Sequence, residues 1–157
     1  MSPFAPPPFA NPLIGNGLAN LLVGNGGNDI LVGLSDNDQL EDGSGRDVLI
    51  GGLGLDTRLA GADDDILIAG RTTSDTTLAN LFDIRAAWIT AAPHATRINN
   101  LRSGVGGSGV SLKAKVNVLN DSGEDDVLSG QTGQDWFFRA LDDVITDLVG
   151  NEVLDVL

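Results

Sequence analysis

The chain has 157 residues and a formal net charge of −13, with 22 acidic and nine basic residues, 21 glycines and no cysteine. This length allows one domain or a solenoid, and the absence of cysteine excludes disulfides and thiolate metal sites. The negative charge argues against a nucleic-acid partner, because phosphate recognition requires a basic face.

The first 13 residues are rich in proline and predict an extended linker. Residues 1–9 contain neither the basic segment nor the apolar core of a signal peptide, so we do not expect one there. No apolar run approaches the roughly 18 residues that a transmembrane helix requires, and we expect no membrane insertion.

Residues 14–77 are dominated by an acidic or amide residue at every ninth position. Two residues after each one comes leucine, except at Arg58. We interpret each repeat as a glycine-rich turn, because glycine tolerates positive φ, followed by a short strand with the aliphatic residue facing inward. Two repeats then form one coil. The recurring residues, here called the acidic column, are Asn20, Asp29, Asp38, Asp47, Asp56 and Asp65.

Successive coils stack at strand spacing, about 4.8 Å, so column residues two repeats apart lie on the same edge and consecutive ones on opposite edges. Asp29, Asp47 and Asp65 should line one edge, and the other three members the second edge. Carboxylates about 5 Å apart repel by roughly 3 kcal/mol at an effective dielectric near 20, so a cation is required. Calcium, with six to eight oxygen ligands, fits better than octahedral magnesium. The alternative is that these residues only form turns in a metal-free solenoid.

The clearest repeat, residues 24–32, reads GNGGNDILV and is close to G-G-x-G-x-D-x-U-x, where U is a large aliphatic residue. Residues 15–68 resemble the hemolysin-type, or RTX, calcium-binding repeat, and so do residues 121–129 and 130–138. The resemblance implies an all-β solenoid, a parallel β-roll with calcium in its turns. The pattern departs from the family at Leu18, Leu34, Asp36 and Asp63, where glycine is expected.

The repeats predict that carboxylates or amides of the acidic column, together with carbonyls of the turns, hold the metal. The predicted ligands are Asn20, Gly24, Gly26, Asp29, Gly33, Asp38, Asp47, Gly51, Asp56, Asp65, Asp126 and Asp135.

Residues 78–119 lack the nine-residue spacing and predict a helical insertion. Apolar residues between 78 and 89 recur at helical spacing, and Pro93 ends the segment. A shorter helix is predicted near residues 97–102, followed by a strand at 113–119 that returns to the roll. In the repeats at 120–138, Phe137 should face inward. We expect the Trp88 face of the first helix to cover Trp136 and Phe138; a partner surface is the alternative.

Residues 139–157 predict a C-terminal capping helix. Apolar residues between 141 and 149 share a helical face, and Gly150 follows as a stop. An amphipathic segment that ends in aliphatic residues also resembles the C-terminal signal of type I secretion substrates, and the two roles are compatible.

The sequence contains no catalytic motif, and His94, the only histidine, is predicted to be an exposed loop residue. We therefore predict a non-enzymatic module that binds calcium, folds with it and belongs to a secreted, extracellular bacterial protein. It resembles the C-terminal module of large secreted or surface proteins. The alternatives are an adhesion or self-assembly element on the cell surface, and an auxiliary module of a secreted protease or polysaccharide-modifying enzyme.

Overall fold

The computed structural model describes residues 10–121 and 123–157. Of the predicted linker, residues 1–9 lie outside the described residues, and Pro12 and Leu13 belong to the first strand. The elements in chain order are β1 (Pro12–Ile14), β2 (Leu21–Val23), β3 (Ile30–Ser35), β4 (Gln39–Glu41), β5 (Val48–Leu53), β6 (Thr57–Leu59), β7 (Ile66–Ile68), β8 (Arg71–Thr72), α1 (Leu78–Trp88), α2 (His94–Ser103), β9 (Val118–Leu119), β10 (Val127–Ser129), β11 (Trp136–Arg139), β12 (Val144–Ile145) and β13 (Val153–Val156).

Most strands alternate along the chain between two parallel sheets. The six-stranded sheet has the order β1-β3-β5-β7-β11-β13, and the five-stranded sheet has the order β12-β10-β6-β4-β2. Ile30 pairs with Val48, and Val48 with Ile66, so the register advances by two nonapeptide repeats per coil. This arrangement is consistent with the parallel β-roll implied by the repeats. We call the two sheets and the turns between them the roll.

The roll continues in register across a long insertion. Ile66 pairs with Trp136, and Thr57 with Val127, so each of these pairings joins a strand before the insertion to a strand after it. The insertion contains both helices and β9, which pairs antiparallel with β8, a strand just before the insertion. The strand predicted at residues 113–119 is thus limited to β9 and joins neither sheet of the roll. Because the strands before and after the insertion are direct neighbours, residues far apart in sequence meet in the same turns.

Side chains of the six-stranded sheet alternate between the interior and an outer face. Leu67 and Phe137 pack inside the roll. Trp136 and Phe138 lie on the outer face, where they share a core with Trp88 of α1 and with residues of α2. The Trp88 and Trp136 ring centroids are 6.2 Å apart, and both side chains are fully buried. The helices therefore cover this face of the sheet.

The predicted C-terminal capping helix is wrong. The segment after β11 instead contains β12 and β13, in which Val144 pairs with Val127 and Val153 with Trp136. The β-branched residues of this segment favour strands, and the apolar spacing that indicated a helix also fits one more coil. Asp143 accepts the backbone N–H of Asp126 through Oδ1 at 3.1 Å, which ties this coil to the previous one.

Candidate metal centre

The carboxylates of the acidic column join neighbouring coils through Oδ1. This atom accepts the backbone N–H of the column residue one coil earlier: Asp38 accepts from Asn20 at 2.7 Å, and Asp65 from Asp47 at 2.8 Å. The pattern crosses the insertion, since Asp135 accepts from Asp65 at 2.8 Å. These hydrogen bonds give the carboxylates a common orientation and place them in the two rows that the spacing predicted.

The second oxygen, Oδ2, is buried and has no hydrogen-bond partner at most of these positions. Buried polar atoms are normally paired, so a row of unpaired anionic oxygens requires an explanation. A hard cation that binds oxygen would provide the missing partner. The residues with such an Oδ2 atom are Asp29, Asp38, Asp47, Asp65 and Asp135.

Glycine at the first position of the repeat leaves room beside these oxygens. A Cβ atom on Gly24 would lie 2.6 Å from Oδ2 of Asp29 and 2.7 Å from the carbonyl oxygen of Asp42, one coil later. A Cβ on Gly33 would likewise overlap Oδ2 of Asp38 and the next carbonyl oxygen along that edge. In these two turns, a carboxylate oxygen and a backbone carbonyl oxygen therefore converge on a space that glycine leaves open.

In several turns, the second and fourth positions adopt left-handed backbone conformations. Gly52 and Gly54 have φ of 115° and 124°. Leu34, Asp36 and Asp63, which depart from the family pattern, have φ of 84°, 75° and 79°. These substitutions therefore keep the backbone path of the turn, although a side chain is strained in this region.

The densest group of carboxylates includes a residue that the sequence analysis missed. Oxygens of Asp42, Asp47 and Asp65 lie within 4.8 Å of one another, and all three residues are buried. Asp42 stands at the first position of its repeat, where Gly24 and Gly33 stand in theirs. Neither of its carboxylate oxygens makes a hydrogen bond of ordinary length and angle, and the backbone N–H groups of Gly43 and Gly61 only partly offset its burial. Alignment of the repeats would have revealed this acid in a glycine position.

Burial raises the pKa of these carboxyl groups, and neighbouring carboxylates raise it further. The pKa of Asp42 rises to about 8, with Asp47 adding to the effect of burial. The pKa values of Asp47 and Asp135 rise to about 7, and that of Asp65 lies well above its ordinary range. Without a cation, protons therefore compete for these sites at neutral pH, whereas a bound dication would favour the ionised forms.

The turn that contains Asp56 differs from the others, because the positive charge beside its carboxylates comes from an arginine side chain. Arg58 is fully buried, and its Nη2 lies 3.2 Å from Oδ2 of Asp56 and 3.1 Å from Oδ2 of Asp126. Nη2 also donates to the carbonyl oxygen of Ala69. Burial nevertheless raises the pKa of Asp56 to about 7, although Arg58 acts in the opposite direction.

The other predicted ligands occupy related positions in the turns. Oδ1 of Asn20 lies beside Gly15, as the aspartate oxygens lie beside Gly24 and Gly33, but it also accepts the backbone N–H of Asn16 at 2.9 Å. Gly51 is the first-position glycine beside Asp56 and Arg58. Gly26 follows Gly24 in the same turn.

The prediction for His94 is wrong. This residue begins α2, is half-buried and packs edge-on against Trp88, with ring centroids 5.4 Å apart. Its helix packs against the outer face of the six-stranded sheet, which explains why the side chain is not exposed.

A comparison with known protein families agrees with the repeat pattern and with this geometry. The family model for the RTX calcium-binding nonapeptide repeat matches four times, at residues 14–41, 23–57, 43–71 and 115–143, which together cover more than half of the chain. The chain therefore belongs to the RTX calcium-binding repeat family. Searches of curated proteins and of solved structures found no significant match. Within the described residues, no helix has the length and apolar character needed to cross a membrane.

Proposed function

We propose that this protein is a non-catalytic structural module that binds calcium ions in the turns of its roll and folds with them. The observation that carries the proposal is the row of buried Oδ2 atoms without partners. Beside Gly24 and Gly33, such an oxygen converges with a backbone carbonyl oxygen of the next coil. Carboxylate and carbonyl oxygens are the ligands that calcium prefers. The family is a calcium-binding structural module rather than a catalytic one, which supports the same conclusion.

We propose that the metal ligands are those predicted from the repeats, together with Asp42. The turn of Asp56 and Asp126 is an exception, because Arg58 already pairs with both carboxylates there. The group of Asp42, Asp47 and Asp65 is the strongest candidate site, because three carboxylates converge there without a compensating cationic side chain. A dication would neutralise most of this charge. Affinity for calcium rises with the number of charged ligands, so we expect this site to fill first.

Calcium should stabilise the fold because the ligands converge only when the coils are stacked. A ligand that binds the folded form alone adds stability in proportion to the logarithm of its concentration. The unfolded chain, with its net charge of −13, also repels itself until cations neutralise it. We expect dissociation constants of about 10⁻⁴ to 10⁻³ M, as in extracellular calcium modules.

A calcium titration of chelator-treated protein tests the proposal. We expect the β signal in far-UV circular dichroism to increase with calcium, and equal concentrations of magnesium to have a much smaller effect. Equilibrium dialysis should detect bound calcium in the same range. A complete β signal in chelator would contradict calcium-dependent folding, and an absence of bound calcium would contradict the function itself.

Asp42→Gly tests the assignment of the strongest site. The substitution restores the residue found at the first position of neighbouring repeats, so the turn should still form. We expect weaker binding of the tightest calcium ion. As a matched control, Asp83→Asn removes one negative charge from α1, outside the turns, and should leave calcium affinity unchanged.

We further propose that the module belongs to a secreted bacterial protein, with residues 14–77 and 120–138 forming repeats and residues 78–119 an insertion. Residues 139–157 would complete the roll and also act as a type I secretion signal. Export of a reporter fused to residues 139–157 through a type I system tests this role. If deletion of these residues left export unchanged, the signal would lie elsewhere.

A second candidate, self-association, is favoured by apolar side chains on the outermost strands of the five-stranded sheet. Leu21 on β2 and Val144 on β12 are 62% and 52% exposed. A second copy could cover either strand. Light scattering with and without calcium tests this candidate: a concentration-dependent dimer in calcium supports it, and a monomer in both conditions contradicts it.

A further inference from the structure

We infer that Arg58 is an internal cation, which occupies in one turn the place that calcium takes in the others. Arg58 stands where the repeat has an inward leucine, between its strand partners Leu40 and Leu128. Its side chain is fully buried. This inference rests on the proposed function, because it identifies the turn that does not require metal.

Three oxygen atoms contact the guanidinium group of Arg58, and the same three positions exist in turns that have no cationic side chain. Nη2 contacts Oδ2 of Asp56, Oδ2 of Asp126 and the carbonyl oxygen of Ala69. Asp126 follows Asp56 in the next coil, because its Oδ1 accepts the backbone N–H of Asp56 at 2.7 Å. Ala69 lies two nonapeptide repeats, and so one coil, after Gly51, the first-position glycine of this turn.

The turn of Gly24 supplies the comparison. Here the equivalent oxygens are Oδ2 of Asp29, Oδ2 of Asp47 in the next coil, and the carbonyl oxygen of Asp42, which lies one coil after Gly24. Both Oδ2 atoms lack a partner. The two carboxylate oxygens are therefore unpaired in the turn of Gly24, whereas their equivalents in the turn of Gly51 are bound by a guanidinium nitrogen.

Steric contacts place the guanidinium in the same space. A Cβ atom on Gly51 would overlap Nη2 of Arg58, whereas on Gly24 it would meet only carboxylate and carbonyl atoms. The Oδ2 atoms of Asp56 and Asp126 have a partner in Arg58. The Oδ2 atoms at the corresponding positions of other repeats do not; these belong to Asp29, Asp38, Asp47, Asp65 and Asp135. A calcium ion and Nη2 cannot occupy this position together, so Arg58 excludes the metal from this turn.

The structure therefore predicts that removal of Arg58 creates a calcium site. Arg58→Leu restores the residue that the repeat has at this position and exposes the three oxygens to the turn. In saturating calcium, we expect this variant to bind one more ion per chain than the unchanged protein. In chelator it should be less stable, because the two buried carboxylates then lack any cation.

Equilibrium dialysis with metal analysis measures the number of bound ions, and far-UV circular dichroism checks the fold. Lys113→Leu is the control, because it removes one positive charge from an exposed position in the insertion and should leave the number of bound ions unchanged.

An unchanged number of bound ions in folded Arg58→Leu would overturn the inference. Failure of Arg58→Leu to fold in saturating calcium would also overturn it, since calcium should replace the guanidinium. If the unchanged protein bound no calcium, the proposed function itself would fail.

Discussion

Asp65 accepts the backbone N–H of Asp47 through Oδ1 at 2.8 Å, while its Oδ2 is buried without a partner beside the carboxylates of Asp47 and Asp42. One carboxylate thus joins two coils and also contributes charge to the candidate metal site. The two roles can be separated experimentally, because an amide retains the hydrogen-bond acceptor but loses the charge.

Asp65→Asn should have opposite effects on stability with and without calcium. The amide oxygen can still accept the N–H of Asp47, so the coils stay joined. In chelator, the free energy of unfolding should increase, because the amide is neutral by itself, whereas burial forces the carboxyl group of Asp65 to take up a proton or to carry a buried charge. In calcium, affinity should fall by roughly tenfold or more, because a charged ligand is lost. Urea denaturation in both conditions measures the two effects; a decrease in both would show that Asp65 acts only structurally.

Without metal, the fold should lose stability as pH rises. The raised folded-state pKa values favour the protonated folded form, whereas unfolded aspartates titrate near pH 4. Stability should therefore fall from about pH 4 through about pH 7, where Asp47 and Asp135 titrate, to about pH 8, where Asp42 does. In calcium, the ionised forms are the ligands, so the stabilisation by calcium should increase over the same range.

Thermal unfolding between pH 5 and pH 8, in chelator and in saturating calcium, measures this dependence. Asp42→Gly should flatten the upper part of the profile in chelator, because the pKa of Asp42 is about 8. A metal-free protein whose stability increased with pH would contradict the raised pKa values.

Gly45→Ala should destabilise the roll strongly. Gly45 has φ of 127°, and a Cβ atom there would overlap the carbonyl oxygen of Gly27 in the previous coil. We expect a loss of about 2 kcal/mol or more in the free energy of unfolding in calcium. Gly107→Ala, at a position with no heavy atom within 4 Å of the added Cβ, should change stability by less than about 0.5 kcal/mol. Equal effects of the two substitutions would contradict this account of the turn.

The insertion and the roll should unfold together. Trp88 of α1 and Trp136 of β11 lie in one core, and both side chains are fully buried. Loss of either partner would expose the other's apolar surface. Two variants with a single tryptophan, Trp88→Phe and Trp136→Phe, should therefore show fluorescence changes at the same denaturant concentration in calcium. Well-separated midpoints would mean that the helices remain packed without the roll.

The nine-residue spacing alone predicts the two rows of side chains that form the candidate site. A fixed period in a stacked coil brings equivalent residues to equivalent places, so the two rows of column residues and the inward position of Phe137 follow from local pattern alone. The spacing also predicted the need for a cation, because stacked carboxylates repel whatever the details of the turn.

Features in which one residue depends on a distant one follow only from how the chain folds. Asp126 lies far beyond Arg58 in the chain and reaches it only because β6 and β10 pair across the insertion. The strands at residues 139–157 likewise form because the preceding coil offers free backbone partners, whereas the apolar spacing of that segment is compatible with a helix. A sequence pattern describes local geometry, but the partner of a buried charge or of a sheet edge is determined by which segments become neighbours in space.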